Sequence, residues 1–251
     1  MLVIIQKSLH WKNKMTTNSI KMSQHKAAKT AGIIFPLSII IVMVVNLAIV
    51  APLITESNPS ETARNILSHE FLFRIGIAGN ILYSVCGVVL LVAFFTILKN
   101  VSHSFAIFAA ICFLINSFSW LLIALNQFTV LSLFNDTEFS HAFRPEGLFA
   151  MVKLHLIGAD IYYIGLLFWA LGCTVVSCLF FKSKYIPKSL SAFGIISSAW
   201  CVVCTFIFYI SPNYANVVNL WWFDSPMVIF ELALSFWFLF KGLKIQQPEP
   251  V

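Results

Sequence analysis

Charged side chains are scarce in this sequence. Lys, Arg, Asp and Glu make up 10% of the 251 residues and hydrophobic residues make up 59%, whereas a typical soluble domain carries about 25% charged residues. Mean hydropathy is +0.88. A water-soluble fold would have to expose much of this apolar surface as aggregation-prone patches. The composition therefore excludes an ordinary soluble domain.

The sequence also lacks the short motifs that identify common enzymes and cofactor-binding proteins. It contains no P-loop, no G-x-G-x-x-G, no G-x-S-x-G and no H-E-x-x-H. We therefore expect no cofactor and assign no catalytic residue. An enzyme with ligands scattered among its membrane helices would need none of these motifs, so the enzyme class stays open.

A cleavable signal peptide is not evident, because the opening apolar stretch Met1–Ile5 is too short for one. Residues 1–30 are polar and basic, and we expect a disordered cytoplasmic tail held near anionic lipid. Met15 and Met22 offer alternative starts. We therefore hypothesise that part of this tail is an extension of the gene model.

What the sequence has in abundance is long apolar runs. Each is long enough to cross roughly 30 Å of hydrocarbon as a helix, and an isolated strand could not satisfy its backbone in lipid. They predict an all-α, polytopic transmembrane helical bundle over residues 31–244, followed by a short tail at 245–251. The six predicted spans are Ala31–Pro52, Phe73–Leu98, Phe105–Phe134, Leu154–Phe181, Leu190–Ile210 and Met227–Leu243.

The basic residues predict the orientation of these spans. Twelve of the sixteen Lys and Arg lie in the N-terminal tail, after the second and fourth spans, or after the sixth. Cytoplasmic segments of membrane proteins carry this excess of positive charge. The distribution predicts that both termini are cytoplasmic. It also means that the net charge of +6 marks topology and not a nucleic-acid partner.

Ionisable and amide side chains inside the spans are the candidates for function, because each costs free energy in lipid. The predicted helix directions place Asn80, Asn126, Asp160 and Glu231 in the outer half of the membrane, with Arg74 at the start of span two as a counter-charge. We hypothesise an outward-facing polar cavity with Asp160 and Glu231 near its floor. The alternative is that these carboxyls are protonated or paired and serve helix packing, while Arg74 reaches the headgroups.

Small and polar residues also recur at helical spacing. Gly76, Asn80, Ser84 and Gly87 form such a stripe on span two. Faces of this kind are where membrane helices pack together. The stripe therefore predicts a helix-packing surface.

Two further constellations predict ordinary packing. Cys201 and Cys204 form a C-x-x-C in the middle of a span, without a neighbouring cation to activate a thiol. His155 and Asp160 are five residues apart, which places them on different faces of one helix and argues against a metal site with Glu231.

Several segments together resemble one bacterial family. They are Lys29–Gly32, Phe73–Gly76, Gly165–Gly172, Tyr185–Lys188, Glu231–Ser235 and Lys241–Lys244. In this order the chain is similar, over about residues 28–244, to domain-of-unknown-function family 4386, a group of multi-span membrane proteins. The resemblance implies a bacterial inner membrane protein and supplies no reaction, ligand or catalytic residue. The basic stretch before Lys29 looks like an addition to the family's usual start.

Three functions remain open from the sequence. The first is binding or transport of a small molecule or lipid headgroup in the polar cavity. The second is an intramembrane enzyme that uses Asp160 and Glu231. The third is a structural or stress-response membrane component, for which we expect no cavity. In each of them the bilayer is the surrounding partner.

Overall fold

The computed structural model describes residues 2–55, 58–135, 160–211 and 221–245. Within these ranges the chain is helical and contains no β-strand. Seven α-helices follow one another along the sequence. They are α1 (Leu2–Met43), α2 (Pro59–Ser68), α3 (Glu70–Leu98), α4 (His103–Asn135), α5 (Asp160–Ser183), α6 (Lys188–Ile210) and α7 (Trp221–Phe240).

Among the described residues, six helical segments are long and apolar enough to cross a membrane, which confirms the predicted six-span helical architecture. The spans are Ser19–Leu53, Glu70–Leu98, His103–Phe134, Ile161–Ser183, Lys188–Ile210 and Trp222–Phe240. The bounds of the second, third and fifth spans agree with the apolar runs to within three residues. The first helical span begins twelve residues before Ala31, the last begins five residues before Met227, and the predicted start of the fourth span at Leu154 lies outside the described residues. The cytoplasmic placement of both termini stays a prediction.

Helix α1 corrects the expectation of a disordered N-terminal tail. The helix begins at Leu2, and its polar part already packs against the bundle before residue 30. Gln24 is 2% exposed and its Nε2 donates to the backbone oxygen of Ile97 at 2.7 Å. Ala28 beside it is fully buried. Helix propagation from an anchored end costs little per residue, so the packed segment extends the helix toward the N-terminus.

The other end of the first span departs from α-helical geometry. After Met43 the chain continues as a π-helix over Val44–Val50 and a 3₁₀ turn over Ala51–Leu53. Pro52 has no amide proton to continue the helical ladder, and Ala51 donates to the oxygen of Asn46 instead of Leu47. This wider section of the first span lies beside the cavity described below.

The sequence Asn58-Pro59-Ser60-Glu61 has an N-cap residue, a proline at the first helical position and a capping-box glutamate, which predicts a short surface helix. Helix α2 confirms this prediction. Asn58 Oδ1 accepts from the amide of Glu61 at 3.2 Å, and Pro59 occupies the first helical position. The reciprocal capping contact from Glu61 is unnecessary, because the Asn58 amide donates to the Thr55 oxygen at 3.0 Å.

The six spans form a closed ring in chain order. Each span packs against the next one along the sequence, and α7 packs against α1. Four-residue connections join α3 to α4 and α5 to α6, and connections of this length favour antiparallel neighbours. The axis of the ring is therefore surrounded by all six helices, and what fills it differs between its two ends.

The predicted packing stripe on α3 is confirmed. Ser84 Oγ donates to the Ser117 backbone oxygen at 2.8 Å, and Gly87 lies directly against the Ser117 side chain. Asn80 Nδ2 donates to Gln127 Oε1 at 3.0 Å. The absence of a side chain at Gly87 allows the close approach of α3 and α4.

At the predicted cytoplasmic end the axis is filled by five phenylalanines, which we call the phenylalanine plug. Their side chains are at most 2% exposed, and ring centroids of neighbouring members are 5.6–6.4 Å apart. Five different spans contribute one residue each. The plug consists of Phe35, Phe94, Phe113, Phe180 and Phe238. Edge-to-face and tilted ring contacts of this kind make a dense apolar core.

Candidate functional site

The axis of the ring is open at the predicted outer end, where a cavity of about 420 Å³ lies between five of the six spans. The walls combine apolar side chains with polar ones that face the interior of the bundle instead of lipid. The polar and aromatic residues of its lining are Ser38, Asn46, Tyr83, Asn116, Trp120, Asn126, Gln127, Tyr162, Trp169, Asp224 and Glu231.

Glu231 lies at the floor of this cavity, next to the phenylalanine plug. Its side chain is 4% exposed, and Oε1 accepts from Trp169 Nε1 at 2.6 Å. The Cys173 Sγ atom lies 4.0 Å from the same oxygen. The indole of Trp169 in turn contacts the rings of Phe35 and Phe113, with centroids 5.8 and 4.9 Å away. The Trp169 ring thus packs against the phenylalanine plug, while its N–H holds the Glu231 carboxyl in place.

A second carboxyl, that of Asp224, lines the cavity two turns above Glu231. Both residues belong to α7, seven positions apart, so they face the same side and are separated by about 10 Å along the helix. Asp224 occupies the first turn of α7, where a carboxylate interacts favourably with the helix dipole. The cavity therefore carries one carboxyl at its floor and one higher on the same wall.

Aromatic residues form the wall on the α3, α4 and α5 side. The Tyr83 and Trp120 rings lie 4.5 Å apart, and Trp120 meets Tyr162 edge-on at 5.9 Å. The three residues come from three consecutive spans and all line the cavity. Their mutual contacts hold the rings in fixed orientations.

Helix α4 supplies three amide side chains to the cavity, Asn116, Asn126 and Gln127. The Asn116 side chain is 2% exposed, and its Nδ2 has no hydrogen-bond partner within the described ranges. The same side chain is close enough to the Tyr83 hydroxyl to interact with it. Gln127 accepts from Asn80, which stands behind the wall between α3 and α4.

The structure brings together only part of the residue set predicted from sequence. Glu231 and Asn126 line the cavity, and Asn80 supports it through Gln127. Arg74 is elsewhere: its Nη2 lies 2.7 Å from Glu70 Oε1 on the surface of α3, with 49% of its side chain exposed. Arg74 is therefore not among the residues that line the cavity, where it was expected as a counter-charge, and an i, i+4 carboxylate on its own helix pairs with it instead.

Two predicted participants fall on parts of the chain that the structure leaves undescribed. The side chain of Asp160 lies outside the described set, although its backbone begins α5, and His155 lies outside it altogether. Within the described ranges no group of three His, Cys, Asp or Glu residues could hold a metal ion. Cys201 and Cys204 are both buried as free thiols.

The most important residue that the sequence reasoning missed is Asp224. The apolar run begins at Met227, so Asp224 is assigned to the outer loop, whereas the helix begins at Trp221. An available signal was the spacing of Asp224 and Glu231, which equals two helical turns. The contributions of Tyr83, Trp120 and Trp169 carried no comparable signal, because aromatic residues occur on every face of these spans.

Comparison with known proteins gives one result. No curated protein and no solved structure matches the chain. A family model described as a domain of unknown function, DUF4386, matches residues 30–242. The match covers the apolar part of the first span, the other five spans and every residue that lines the cavity. The chain therefore belongs to the DUF4386 family.

Proposed function

We propose that this protein binds a small molecule in the cavity between its spans, as a binding protein or transporter. The observation that carries the proposal is the buried Glu231 carboxyl, held by Trp169, at the floor of a 420 Å³ cavity. Binding sites for small molecules and cofactors usually enclose about 300–1,000 Å³. The distribution of lysines predicts that the cavity opens toward the outside of the membrane, and the family resemblance favours a bacterial inner membrane.

The cost of placing Glu231 in the membrane supports a functional role for it. A charged residue near the centre of a span costs about 2.5–3.5 kcal/mol on insertion scales. A single hydrogen bond from an indole does not need a carboxyl as its acceptor, because a glutamine would serve. Helix packing alone therefore gives a weak reason for a carboxyl at this position.

The cavity itself distinguishes this proposal from a purely structural role. A bundle that only fills the membrane gains by closing its axis, as the phenylalanine plug does at the other end. Here the same five helices leave an open volume lined with amides, carboxyls and aromatic rings. An open volume that presents polar groups within a mainly apolar lining is useful to a protein that accommodates a ligand.

The test is a ligand-stabilisation screen on the protein in lipid nanodiscs, with matched variants on α7. Val228 lines the cavity, whereas the adjacent Ile229 is 58% exposed on the outside of the bundle. Val228→Phe reduces the cavity, and Ile229→Phe adds the same bulk toward lipid. We expect compounds that raise the melting temperature of the native protein and of Ile229→Phe, and whose effect is lost in Val228→Phe.

The variant Glu231→Gln provides a second measure. The glutamine oxygen can still accept from Trp169, so the fold is expected to persist while the acid is removed. Stabilising compounds that act equally on the native protein, Val228→Phe and Glu231→Gln would bind elsewhere, and the proposed site would then be wrong.

A further inference from the structure

The chemistry of the cavity wall indicates the charge of its ligand. Asp224 and Glu231 are both acidic, and among the described lining residues there is no Lys, Arg or His. Arg74, the cation expected from the sequence to face the cavity, pairs with Glu70 on another surface. Among these described residues an anionic ligand would therefore meet two carboxyls and no compensating charge, whereas a cationic ligand would meet complementary groups.

The aromatic wall provides a second, independent reason. Tyr83, Trp120 and Tyr162 line the cavity in mutual contact, and Trp169 lies at its floor. Aromatic rings attract ammonium groups through their negative faces, and this attraction grows where water is excluded. Electrostatic proximity links the two features, since Tyr83 lies within interaction range of both carboxyls. The two carboxyls and the aromatic rings thus line the same cavity.

The wall formed by the first span indicates the chemistry of the uncharged part of the ligand. Helix α1 and the π-helix after it contribute Ile39, Val42, Met43 and Leu47 to the lining. The two polar residues of this wall, Ser38 and Asn46, donate to backbone oxygens of α1 at 2.7 and 3.0 Å. The wall therefore offers mainly apolar contact, which suits a hydrocarbon body and not a compact hydrated ion such as Na⁺.

We infer that the cavity takes an organic cation, an amine or quaternary ammonium compound with an apolar body, whose charged group lies between Glu231, Asp224 and the aromatic wall. This inference rests on the proposed function and narrows it to one ligand class. The apolar body lies against α1. The charged group lies toward α7 and the rings.

The experiment uses two soluble probes of the same size and permanent, opposite charge: benzyltrimethylammonium and benzylsulfonate. Both are titrated against the full chain in nanodiscs made of a zwitterionic lipid, with tryptophan fluorescence as the readout, because Trp120 and Trp169 line the cavity. We expect benzyltrimethylammonium to bind and benzylsulfonate not to bind. Val228→Phe should abolish the binding and Ile229→Phe should preserve it.

Carboxyl variants then test the assignment of the charge. Glu231→Gln should weaken benzyltrimethylammonium binding by about tenfold or more, because a charge partner in a low-dielectric site is lost. Asp224→Asn should weaken it by a smaller factor. Glu70→Gln removes a carboxyl from the outer surface and should leave binding unchanged. Melting temperatures of all variants confirm that each one is folded.

The outcomes separate the inference from the function on which it rests. If benzylsulfonate binds in a manner that Val228→Phe abolishes, the cavity is a binding site and the inference of a cation is wrong. Binding of benzyltrimethylammonium that is equal in Glu231→Gln, Asp224→Asn and the native protein would also overturn it. If neither probe binds, the inference fails; if the compound screen also finds no ligand that depends on Val228, the proposed function fails with it.

Discussion

The two ends of the ring use the same helices in different ways. Helices α1, α3, α4, α5 and α7 each contribute a phenylalanine to the plug and at least one polar side chain to the cavity wall. At the plug, flat apolar rings interdigitate and close the axis. At the cavity, residues such as Asn46, Tyr83 and Asn126 carry polar tips that must keep a partner or water. The side chains that face the axis of the ring therefore decide at which end the helices pack tightly and at which end a cavity remains.

The largest difference in stability between the two ends is expected from a substitution at the centre of the plug. Phe94 contacts four other members of the plug, and we expect Phe94→Ala to lower the free energy of unfolding by about 3–5 kcal/mol. Ile123→Ala at the cavity wall should cost much less, because the removed atoms already border open space. Unfolding titrations in mixed micelles measure both. Equal losses would show that the two ends are packed alike.

A variant of Trp169 tests the hydrogen bond that joins the plug to the floor of the cavity. Trp169→Phe keeps an aromatic ring against Phe35 and Phe113 but removes the donor to Glu231. A buried acceptor that loses its partner costs about 1–3 kcal/mol, and we expect a loss of that size in the same titrations. Combining Trp169→Phe with Glu231→Leu should recover part of it. A Trp169→Phe protein as stable as the native one would mean that the hydrogen bond does not anchor the floor.

A smaller effect is expected behind the cavity wall, where Asn80 and Gln127 join α3 and α4. A double-mutant cycle with Asn80→Ala and Gln127→Ala should give a coupling energy of about 0.6 kcal/mol, the usual size for hydrogen bonds between membrane helices. Strictly additive single-variant losses would show that the two amides do not interact.

The smallest effect is expected at Arg74, on the outer surface. Arg74→Gln breaks an exposed ion pair with Glu70, and such pairs contribute roughly 0–1 kcal/mol to the free energy of unfolding. We expect little change in stability and none in the binding of any cavity ligand. Binding that depends on Arg74 would restore the counter-charge role assigned to it from sequence.

Much of the fold was predictable because lipid imposes a simple rule on each span by itself. A run of apolar residues becomes a helix wherever it lies in the bundle, and Asn58 caps α2 through contacts three residues away. The site was predictable only in part. Glu231 stood out because a carboxyl in a span is costly, but Asp224 lay beyond the apolar run and Arg74 had a local partner that hydropathy does not reveal.

The sequence by itself determined six membrane helices, the surface helix α2 and the presence of a costly carboxyl in the last span, because these follow from local composition and from spacing along one helix. Only the tertiary structure decided that Glu231 meets Trp169 across 62 positions, that five phenylalanines close one end of the axis, and that two acids face an aromatic wall at the other. These features depend on the rotation of each helix about its own axis, which contacts between neighbouring helices fix and which no single span encodes.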